Sequence, residues 1–535
     1  DIQWAEALLD EYSIDNSLEA LATRYLGEGK ITQRLNELYG PDYIKHFREV
    51  HPAHAKAYAM GDVIKPLLIL DEQKKQLSKE GLTKLFDLEC RLAPFLLYMK
   101  RKGVRIDVPG AERLNVRLKE QIAEINKRIQ EMSGVAVNFN APASIAKALA
   151  KMGVTAPRTE PSERFPTGQP SVTNDWLQRI GHNGDDCFDT TCPACFAWML
   201  HDARAMDKAR STFVEGYILE GNINGRIHCQ FHPLRQTDGG QGKRGTITGR
   251  LSSSNPNLQN IPVRTELGKE IRKLFIPEEG CQWWKNDYSQ IEFRFLVHFA
   301  TLAKCKGAAE AAERYRKDPK TDFHEMVMGL SGLERKPAKN LNYAEIYCAG
   351  LDKTGEMMGL LDAAGHALPQ VIDFRDIYNE KVPFAKELSN IASETAKKRG
   401  YVKTILGRRG RFPLWEPKWS DGNPQAYPRE KALEIYGPSI RRAKAYKALN
   451  KSIQGSAADL LKKAMVEIFE EGLLNEGSPL TVALTVHDEL GGSMEPSEQG
   501  KKYLKEVTNI METCLSLQVP ILTAGAIGEN WGDCK

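Results

Sequence analysis

Apolar residues recur at helical spacing through most of the first half of the chain. The spacing predicts mainly helices over residues 1–88, a long amphipathic helix over Ala111–Met132 and another helix from about Phe196 to Leu219. Four prolines between Pro157 and Pro170 predict a loop before the last of these helices. The N-terminal half is therefore expected to be mostly α-helical.

Farther along, two short apolar segments have the pattern of buried strands, and each ends beside a carboxylate. The first covers residues 281–286, and helical spacing resumes after Asp287, so this aspartate is predicted to lie where a strand ends and a helix begins. Ser289 and Glu292 are three residues apart and fit a capping box for that helix. A turn residue and a capping residue are the simplest interpretations of Asp287 and Glu292.

The second segment, residues 481–486, alternates in the manner of a strand. His487, Asp488 and Glu489 follow it, and the glycines shortly after them predict a hairpin whose turn carries an acid. Taken alone, Asp488 is an ordinary turn aspartate. If the fold brings it to Asp287, the pair offers the hard oxygen ligands that two Mg²⁺ ions require.

A third segment places cations and then aromatic rings along one face of a predicted helix. The four residues follow one another at a spacing of four: Arg335, Lys339, Tyr343 and Tyr347. Pro337 fits near the start of such a helix, where its missing donor costs little. A merely solvated face would more often include acids, whereas cations followed by rings suit a triphosphate attached to a base.

Composition narrows the class of protein without fixing it. The chain has 535 residues, enough for three to four domains of roughly 150 residues each. Apolar residues make up 41% and charged residues 27%, which excludes wholesale disorder. Apolar runs are too short for a membrane span. The net charge of +4 neither requires nor excludes nucleic acid, so local charge has to decide.

Positive charge is concentrated in two stretches. Residues 226–275 hold nine Lys or Arg against three Asp or Glu, and Lys397–Arg411 holds seven Lys or Arg and no acid. Either stretch alone is as readily a solvated face. Because both flank the candidate carboxylates, a surface that follows phosphates is the favoured interpretation.

Ten cysteines, mostly scattered singly, indicate reduced thiols and an intracellular setting. One group is different, because Cys187, Cys192 and Cys195 lie close together in the sequence with His182 nearby. Three cysteines and one histidine are a ligand set for a structural zinc ion. Free thiols are the alternative.

The three chemical segments occur in order and resemble motifs A, B and C of the family A DNA polymerases, the DNA polymerase I type. The stretches that carry the resemblance are Asp287–Glu292, Arg335–Tyr347, Val486–Glu489, Thr248–Arg264 and Gln454–Asp459. The likeness spans about residues 89–535. It implies an α+β right-hand fold, whose expected parts are a thumb at about 111–225, a palm at about 226–300 and 430–535, and fingers at about 301–429.

The resemblance also implies an activity and the residues for it. The implied reaction is template-directed addition of deoxynucleotides to a primer 3′-hydroxyl, with two Mg²⁺ ions held by Asp287, Asp488 and the backbone carbonyl of Tyr288, and with Lys339 as proton donor. The residues expected to bind the incoming nucleotide are Arg335, Lys339, Tyr343, His324, Gln290 and Glu292. The residues expected to line the primer–template are Arg250, Asn257, Gln259, Asn260, Arg264, Tyr347, Gln454 and His487.

Residues 1–88 resemble the end of a 3′–5′ exonuclease domain. Tyr58 and Asp62 match the Tyr-x-x-x-Asp spacing of its third motif, and the other motifs of such a domain are not in this chain. The expectation is a chain that lacks most of that domain.

Three other readings stay open from the sequence: a single-subunit RNA polymerase, an inactive nucleic-acid-binding protein and a metal-dependent nuclease. By resemblance, Glu292 favours DNA synthesis over RNA synthesis, because a glutamate there crowds the sugar 2′ position. The expected partners are primer–template DNA and deoxynucleoside triphosphates, with no membrane, and a processivity partner could dock on residues 157–201 as in some phage relatives. A monomer in the cytoplasm or nucleoid of a bacterial or phage-infected cell is expected, with an organelle still open.

Overall fold

The computed structural model describes residues 1–182, 191–237, 243–263, 265–347, 349–362, 365–419 and 424–534. The chain starts with helices, as predicted: α1 Ile2–Leu9, α2 Leu18–Leu26, α3 Thr32–Tyr39, α4 Pro52–Glu80 and α5 Thr83–Lys102. Ser17 caps α2 by accepting a hydrogen bond from the backbone N–H of Ala20. Gly81 ends α4 in the left-handed conformation, with φ of 73°.

A second group of helices follows a short strand. Its elements are β1 Val104–Arg105, α6 Val108–Ser133, α7 Pro142–Lys151, α8 Asn174–Ile180 and α9 Pro193–Lys208, which continues as a π-helix over Ala209–Leu219. Part of this group has a hydrophobic core of its own, which includes Ile145, Leu177, Phe196 and Leu200. We call residues 125–200, which contain this core, the side lobe.

The next part contains short strands and then the strand that carries the first candidate carboxylate near its end. Its elements are β2 Arg226–Ile227, β3 Gln230–His232, β4 Gln236–Thr237, β5 Lys243–Arg244, β6 Ser252–Ser254, α10 Glu266–Lys273, β7 Gln282–Tyr288 and α11 Ile291–Leu302.

Helices dominate again between residues 308 and 447. The elements are α12 Ala308–Lys317, α13 Phe323–Ser331, α14 Arg335–Ile346, α15 Leu351–Met358, α16 Pro369–Lys381, α17 Pro383–Arg399, β8 Tyr401–Lys403, β9 Arg409–Arg411, β10 Leu414–Pro417, β11 Tyr427–Pro428, α18 Arg429–Tyr436 and β12 Ile440–Arg442. The chain continues with α19 Ala448–Glu470, β13 Leu484–Val486, β14 Glu489–Met494, α20 Glu498–Thr513 and β15 Thr523–Gly528.

A four-stranded antiparallel sheet, in the order β13-β14-β7-β15, unites the two halves of the chain. Trp283 and Trp284 on β7 are 1% and 0% exposed and anchor it in the main hydrophobic core. Helices with one central sheet confirm the predicted α+β class. Among the helices of the described residues, none combines the length and the apolar character that crossing a membrane requires.

Beneath the β8–β9 hairpin lies a buried group of charges. Lys462 Nζ donates to Glu89 Oε1 at 2.7 Å, and Arg408 Nε donates to Asp459 Oδ1 at 2.8 Å. Arg408 also donates to Glu89, so the two acids and two cations form one network. Every member except Arg408 has a side chain that is at most 1% exposed.

The same hairpin is fastened to the N-terminal helices by further ion pairs. Arg411 pairs with Glu11 at 3.0 Å, and Arg409 pairs with Glu80 at 3.2 Å. The prediction that this basic stretch follows phosphates is therefore wrong for Arg408, Arg409 and Arg411. Arg409 and Arg411 pair with acids that the sequence places hundreds of residues earlier, and Arg408 pairs with the earlier Glu89 and the later Asp459.

The earlier basic stretch, residues 226–275, is also partly structural. Arg226 pairs with Glu278 at 2.6 Å, and the buried Arg272 donates to backbone carbonyls, among them that of Pro262 at 3.2 Å. Only part of its positive charge is left to face a phosphate backbone.

Candidate active site

Strand β7 presents Asp287 at its next-to-last position, as predicted. Its neighbour Tyr288 is buried and donates its hydroxyl to the carbonyl of Met511 at 2.9 Å, which fixes the end of the strand. In the sheet register, Asp287 lies opposite Glu489 of β14 on one side and Ala524 of β15 on the other. The aspartate is thus held by paired strands on both sides.

Asp488 lies in the turn of the β13–β14 hairpin, also as predicted. The turn begins with His487, whose φ of 56° is a left-handed conformation that few side chains adopt. The backbone N–H of Tyr288 donates to the carbonyl of Asp488 at 3.4 Å. The fold therefore brings together the two aspartates that the sequence separates.

The electrostatics of this carboxylate pair favour a bound cation. The surrounding protein, followed by the charges of Asp488 and Glu489, raises the pKa of Asp287 to about 7. Because the Asp287 side chain is exposed to solvent, both causes are weaker there than in a closed interior. Burial also raises the pKa of Asp488, although Arg250 at 3.6 Å opposes that effect. A divalent cation would relieve the repulsion, so the residues present fit a metal site.

Glu292 borders the pair, and its position corrects one prediction. The capping box is wrong, because α11 starts after Gln290, which is left-handed with φ of 51°, and no side chain caps the helix. Glu292 instead accepts hydrogen bonds from Arg250 Nη2 at 2.7 Å and from the Tyr347 hydroxyl at 2.6 Å. Burial, followed by Glu292, raises the pKa of Tyr347, so it donates as a neutral phenol.

Gln290 itself is directed toward the following helices. Its Nε2 donates to the carbonyl of Thr321 at 3.2 Å, and its Oε1 accepts from the Tyr315 hydroxyl at 3.4 Å. The residue was predicted to bind the triphosphate, and in this structure its amide positions the start of α11 against residues 315–321.

Helix α14 begins at Arg335 and has the predicted cation-then-ring face. Lys339 is exposed, with its Nζ 6.0 Å from the centre of the Tyr343 ring, and that ring stacks on Tyr347 at 6.5 Å between centroids. Tyr347 ends the helix rather than lying within it. Arg335 is paired with Asp322, a partner that the sequence analysis did not identify.

His324 is fully buried beside this helix and is held by residues that the sequence analysis missed. Asn342 Nδ2 donates to His324 Nδ1 at 2.9 Å, and the Tyr378 hydroxyl donates to Asn342 Oδ1 at 2.7 Å. Burial lowers the pKa of His324 to about 4, so the ring is neutral and carries its proton on Nε2. That Nε2 has no hydrogen-bond partner among the described residues. A buried donor without a partner fits an anionic ligand.

The residues predicted to line DNA include Gln259 and Asn257, and Gln259 contacts the β13–β14 hairpin. Gln259 Nε2 donates to the carbonyl of Thr485 at 3.2 Å, and Asn257 accepts from Ser253 Oγ at 2.8 Å. The other members are the exposed Asn260 and His487, the half-buried Gln454 and the Arg250 described above. Arg264 lies outside the described residues.

Two further predicted groups lie elsewhere. Tyr58 and Asp62 both contact Lys30, at 3.0 and 2.7 Å, so the carboxylate of Asp62 is matched by an internal cation. His182, Cys192 and Cys195 come together at one end of the side lobe, and Cys187 lies outside the described residues.

The carboxylate pair with its cationic and aromatic helix, set on this fold, defines a template-directed nucleic-acid polymerase. The sequence model of DNA polymerase family A matches residues 109–533, and the chain belongs to that family. The predicted family is therefore confirmed. Members of this family use divalent metal ions.

Individual relatives agree with this assignment. The chain is 31% identical to a DNA-directed DNA polymerase of Pseudomonas phage M6, over 99% of this chain and 79% of that protein. It is 28% identical to DNA polymerase DpoZ of Salmonella phage PMBT28, over 98% of this chain and 83% of that protein. It is 30% identical to DNA polymerase I of Geobacillus stearothermophilus, over 90% of this chain and 49% of that protein.

A solved structure also matches. The POL domain of Pol1 from M. smegmatis, in a complex with DNA primer-template and dNTP, superposes with a TM-score of 0.74 at 25% identity and covers 99% of this chain and 82% of that chain. This likeness extends over nearly the whole chain and confirms the predicted fold class.

Proposed function

We propose that this family A DNA polymerase adds deoxynucleoside triphosphates to a primer 3′-hydroxyl at the carboxylate pair, Asp287 and Asp488. The observation that carries the proposal is the convergence of these aspartates at adjoining strand ends, where the pKa of each is raised. The neighbour solved with DNA primer-template and dNTP supports the same two ligands here.

Asp287, Asp488 and the carbonyl of Tyr288 would hold two Mg²⁺ ions. Bound there, the ions would lower the pKa of the primer hydroxyl and neutralise the negative charge of the leaving pyrophosphate. The 3′-oxygen attacks the α-phosphorus, and the bond between the α-phosphorus and the bridging oxygen breaks. The hydroxyl passes its proton to water, and Lys339, exposed on α14, donates a proton to the pyrophosphate.

The incoming nucleotide would lie along the α14 face. Arg335 and Lys339 bind its phosphates, and the unpartnered His324 Nε2–H donates to a phosphate oxygen. Arg335 has to exchange its ion pair with Asp322 for the phosphate. The Tyr343 ring borders the sugar, and Gln290 turns from its present partners toward the triphosphate.

Glu292 would select the sugar, since its carboxylate is held beside the pair by Arg250 and Tyr347. The Tyr347 ring stacks near the template base. The remaining predicted contacts, which line the primer–template, are Arg250, Asn257, Gln259, Asn260, Arg264, Gln454 and His487. Contacts of this kind go to the DNA backbone and minor groove and check the shape of a base pair without selecting sequence.

Primer extension tests the proposal directly. The purified chain is incubated with a labelled primer–template, Mg²⁺ and either deoxy- or ribonucleoside triphosphates. We expect extension with deoxynucleotides that stops when the metal is chelated. Extension with ribonucleotides alone would indicate an RNA polymerase, primer shortening a nuclease, and duplex binding without extension an inactive binding protein.

The finer expectations about partners stay proposals. The bacterial and phage sources of the relatives support work inside a bacterial or phage-infected cell. A monomeric state and a processivity partner on residues 157–201 stay predictions. A structural zinc ion at the cysteines of the side lobe is a separate proposal, independent of catalysis.

A further inference from the structure

The side lobe contains a group of ligand atoms that the polymerase reaction does not use. His182 follows helix α8, Cys192 immediately precedes helix α9, and Cys195 lies in the first turn of α9. The three residues therefore belong to two helix ends that are separate in sequence. The hydrophobic core of the lobe packs below them and includes Leu177 of α8 and Phe196 of α9.

The distances among the three side chains suit a tetrahedral ion. Cys192 Sγ and Cys195 Sγ lie 3.4 and 3.8 Å from His182 Nε2, and all three ligand atoms lie within 4.8 Å of one another. Zn–S bonds of about 2.3 Å and Zn–N bonds of about 2.0–2.1 Å, joined at a tetrahedral angle, place sulfur and nitrogen about 3.6 Å apart. The two sulfur–nitrogen distances fall on either side of that value.

The chemistry of the ligands selects the metal. Thiolate and imidazole ligands suit zinc, whereas magnesium and calcium prefer oxygen. Two cysteines separated by two residues at the start of a helix are a frequent half of a structural zinc site. Cys192 is a free thiol in the described part of the chain.

We propose that His182, Cys192 and Cys195 supply three of the four ligands of a structural Zn²⁺ ion that fastens the end of α8 to the start of α9, with water or a further side chain in the fourth position. The lobe has a small core, and small cores gain stability from a metal that joins their chain segments. The ion would stabilise the side lobe and take no part in nucleotide addition, because Phe196 beside its ligands packs in the side-lobe core, whereas Tyr288 beside Asp287 packs in the main core.

Metal analysis of the intact chain tests the proposal. The protein is purified in reductant without chelator, supplied with Zn²⁺, desalted and analysed by mass spectrometry for metals. We expect one zinc per chain, and a decrease in zinc affinity of at least about tenfold for Cys192→Ser and for Cys195→Ser. The matched control is Cys281→Ser, because Cys281 is a partly buried cysteine outside the cluster. The Cys281→Ser variant should bind zinc as the wild-type protein does.

Cobalt substitution uses the wild-type protein, so its result does not depend on whether the cysteine variants fold. Tetrahedral Co²⁺ with thiolate ligands gives intense near-ultraviolet absorption, which we expect in the wild-type protein and not after thiol alkylation. Zinc below about a tenth of an equivalent together with no thiolate–cobalt absorption would overturn the site.

Proteolysis separates the structural role from simple binding. Removing zinc should speed protease cleavage of the side lobe several-fold, while deoxynucleotide addition at saturating Mg²⁺ changes less than about twofold, because the metal ligands in the two sites are different. Unchanged cleavage would overturn the structural role. Loss of extension with an intact lobe would do the same.

Discussion

Two groups of acids in this polymerase have opposite surroundings: Glu89 is buried among cations, whereas Asp287 and Asp488 remain open to solvent. Glu89, under the β8–β9 hairpin, is held at 2.7 Å by Lys462 and also by Arg408, and these cations lower its pKa against the effect of burial. Asp287 and Asp488 have raised pKa values, and the nearest paired cation is Arg250, 3.6 Å from Asp488.

The difference shows how one residue type becomes structural in one place and reactive in another. Where the fold supplies a cation for each carboxylate, the group clamps distant segments together. Where the fold supplies fewer cations than carboxylates, the uncompensated negative charge favours the binding of an external cation. Changes that alter this balance should therefore affect stability in one group and catalysis in the other.

The largest expected effect is on catalysis. Asp287→Ala and Asp488→Ala should each slow nucleotide addition by at least about a thousandfold, because each removes several kcal/mol of metal-dependent stabilisation of the transition state. Primer extension and a gel-shift with duplex DNA measure rate and binding separately, and binding should survive. The thermal midpoint should not fall, since one of two repelling charges is removed. Near wild-type extension by either variant would contradict the metal assignment.

Glu89→Gln should instead affect stability. It leaves Lys462 and Arg408 buried with too little negative charge, which costs about 3–5 kcal/mol of unfolding free energy. The matched control is Glu470→Gln, because the Arg91–Glu470 pair has side chains 46% and 44% exposed and should contribute about 0–1 kcal/mol. Denaturant unfolding measures the free energy of unfolding of both variants. Equal losses of unfolding free energy would mean that the buried network stabilises the protein no more than a surface pair does.

Glu292 lies between the two cases, since it borders the reactive pair but has Arg250 and Tyr347 as partners. Glu292→Ala should raise the relative incorporation of ribonucleotides by at least about tenfold, equivalent to about 1.4 kcal/mol. Glu292→Gln keeps the size of the side chain and should stay selective. The measurement is competition between deoxy- and ribonucleotides, and unchanged selectivity in the alanine variant would make Glu292 purely structural.

The smallest expected effect is a pH dependence. Because the pKa of Asp287 is raised from 3.8 to about 7, the folded chain holds a proton there that the unfolded chain loses, so without metal its contribution destabilises the fold as pH rises from about 4 through 7. Mg²⁺ should therefore raise the thermal midpoint more at pH 8 than at pH 6. Asp287→Asn should remove most of that difference. A magnesium effect that is equal at both pH values would contradict the shifted pKa.

Local chemistry predicted much of the active site. Asp287 at a strand end and Asp488 in a hairpin turn follow from short patterns of apolar residues, and the α14 face follows from a spacing of four. The hydrogen bonds of Glu292 to Arg250 and Tyr347 did not follow, because Ser289 satisfies the capping-box spacing while the left-handed Gln290 delays the start of the helix.

What the sequence could not predict depends on long-range pairing. Arg408 lies in a stretch whose composition is typical of a phosphate-binding surface. Its partner Glu89 nevertheless lies 319 residues earlier in the chain. Likewise, His324 takes its position from Asn342 and Tyr378, and the bond between those two spans 36 residues. Charge runs describe which residues are available but not which acids the fold brings to them.

The ion pairs of the N-terminal helices also affect how the chain is made. At about 5–20 residues per second, a ribosome needs about 20–80 s to add the 400 residues that separate Glu11 from Arg411. Glu89 waits nearly as long for Lys462, 373 residues later. Throughout that interval Glu11 and Glu89 lack the cations that pair with them in the folded protein. This part of a nascent chain therefore stays accessible to chaperones and proteases until the later part has been synthesised.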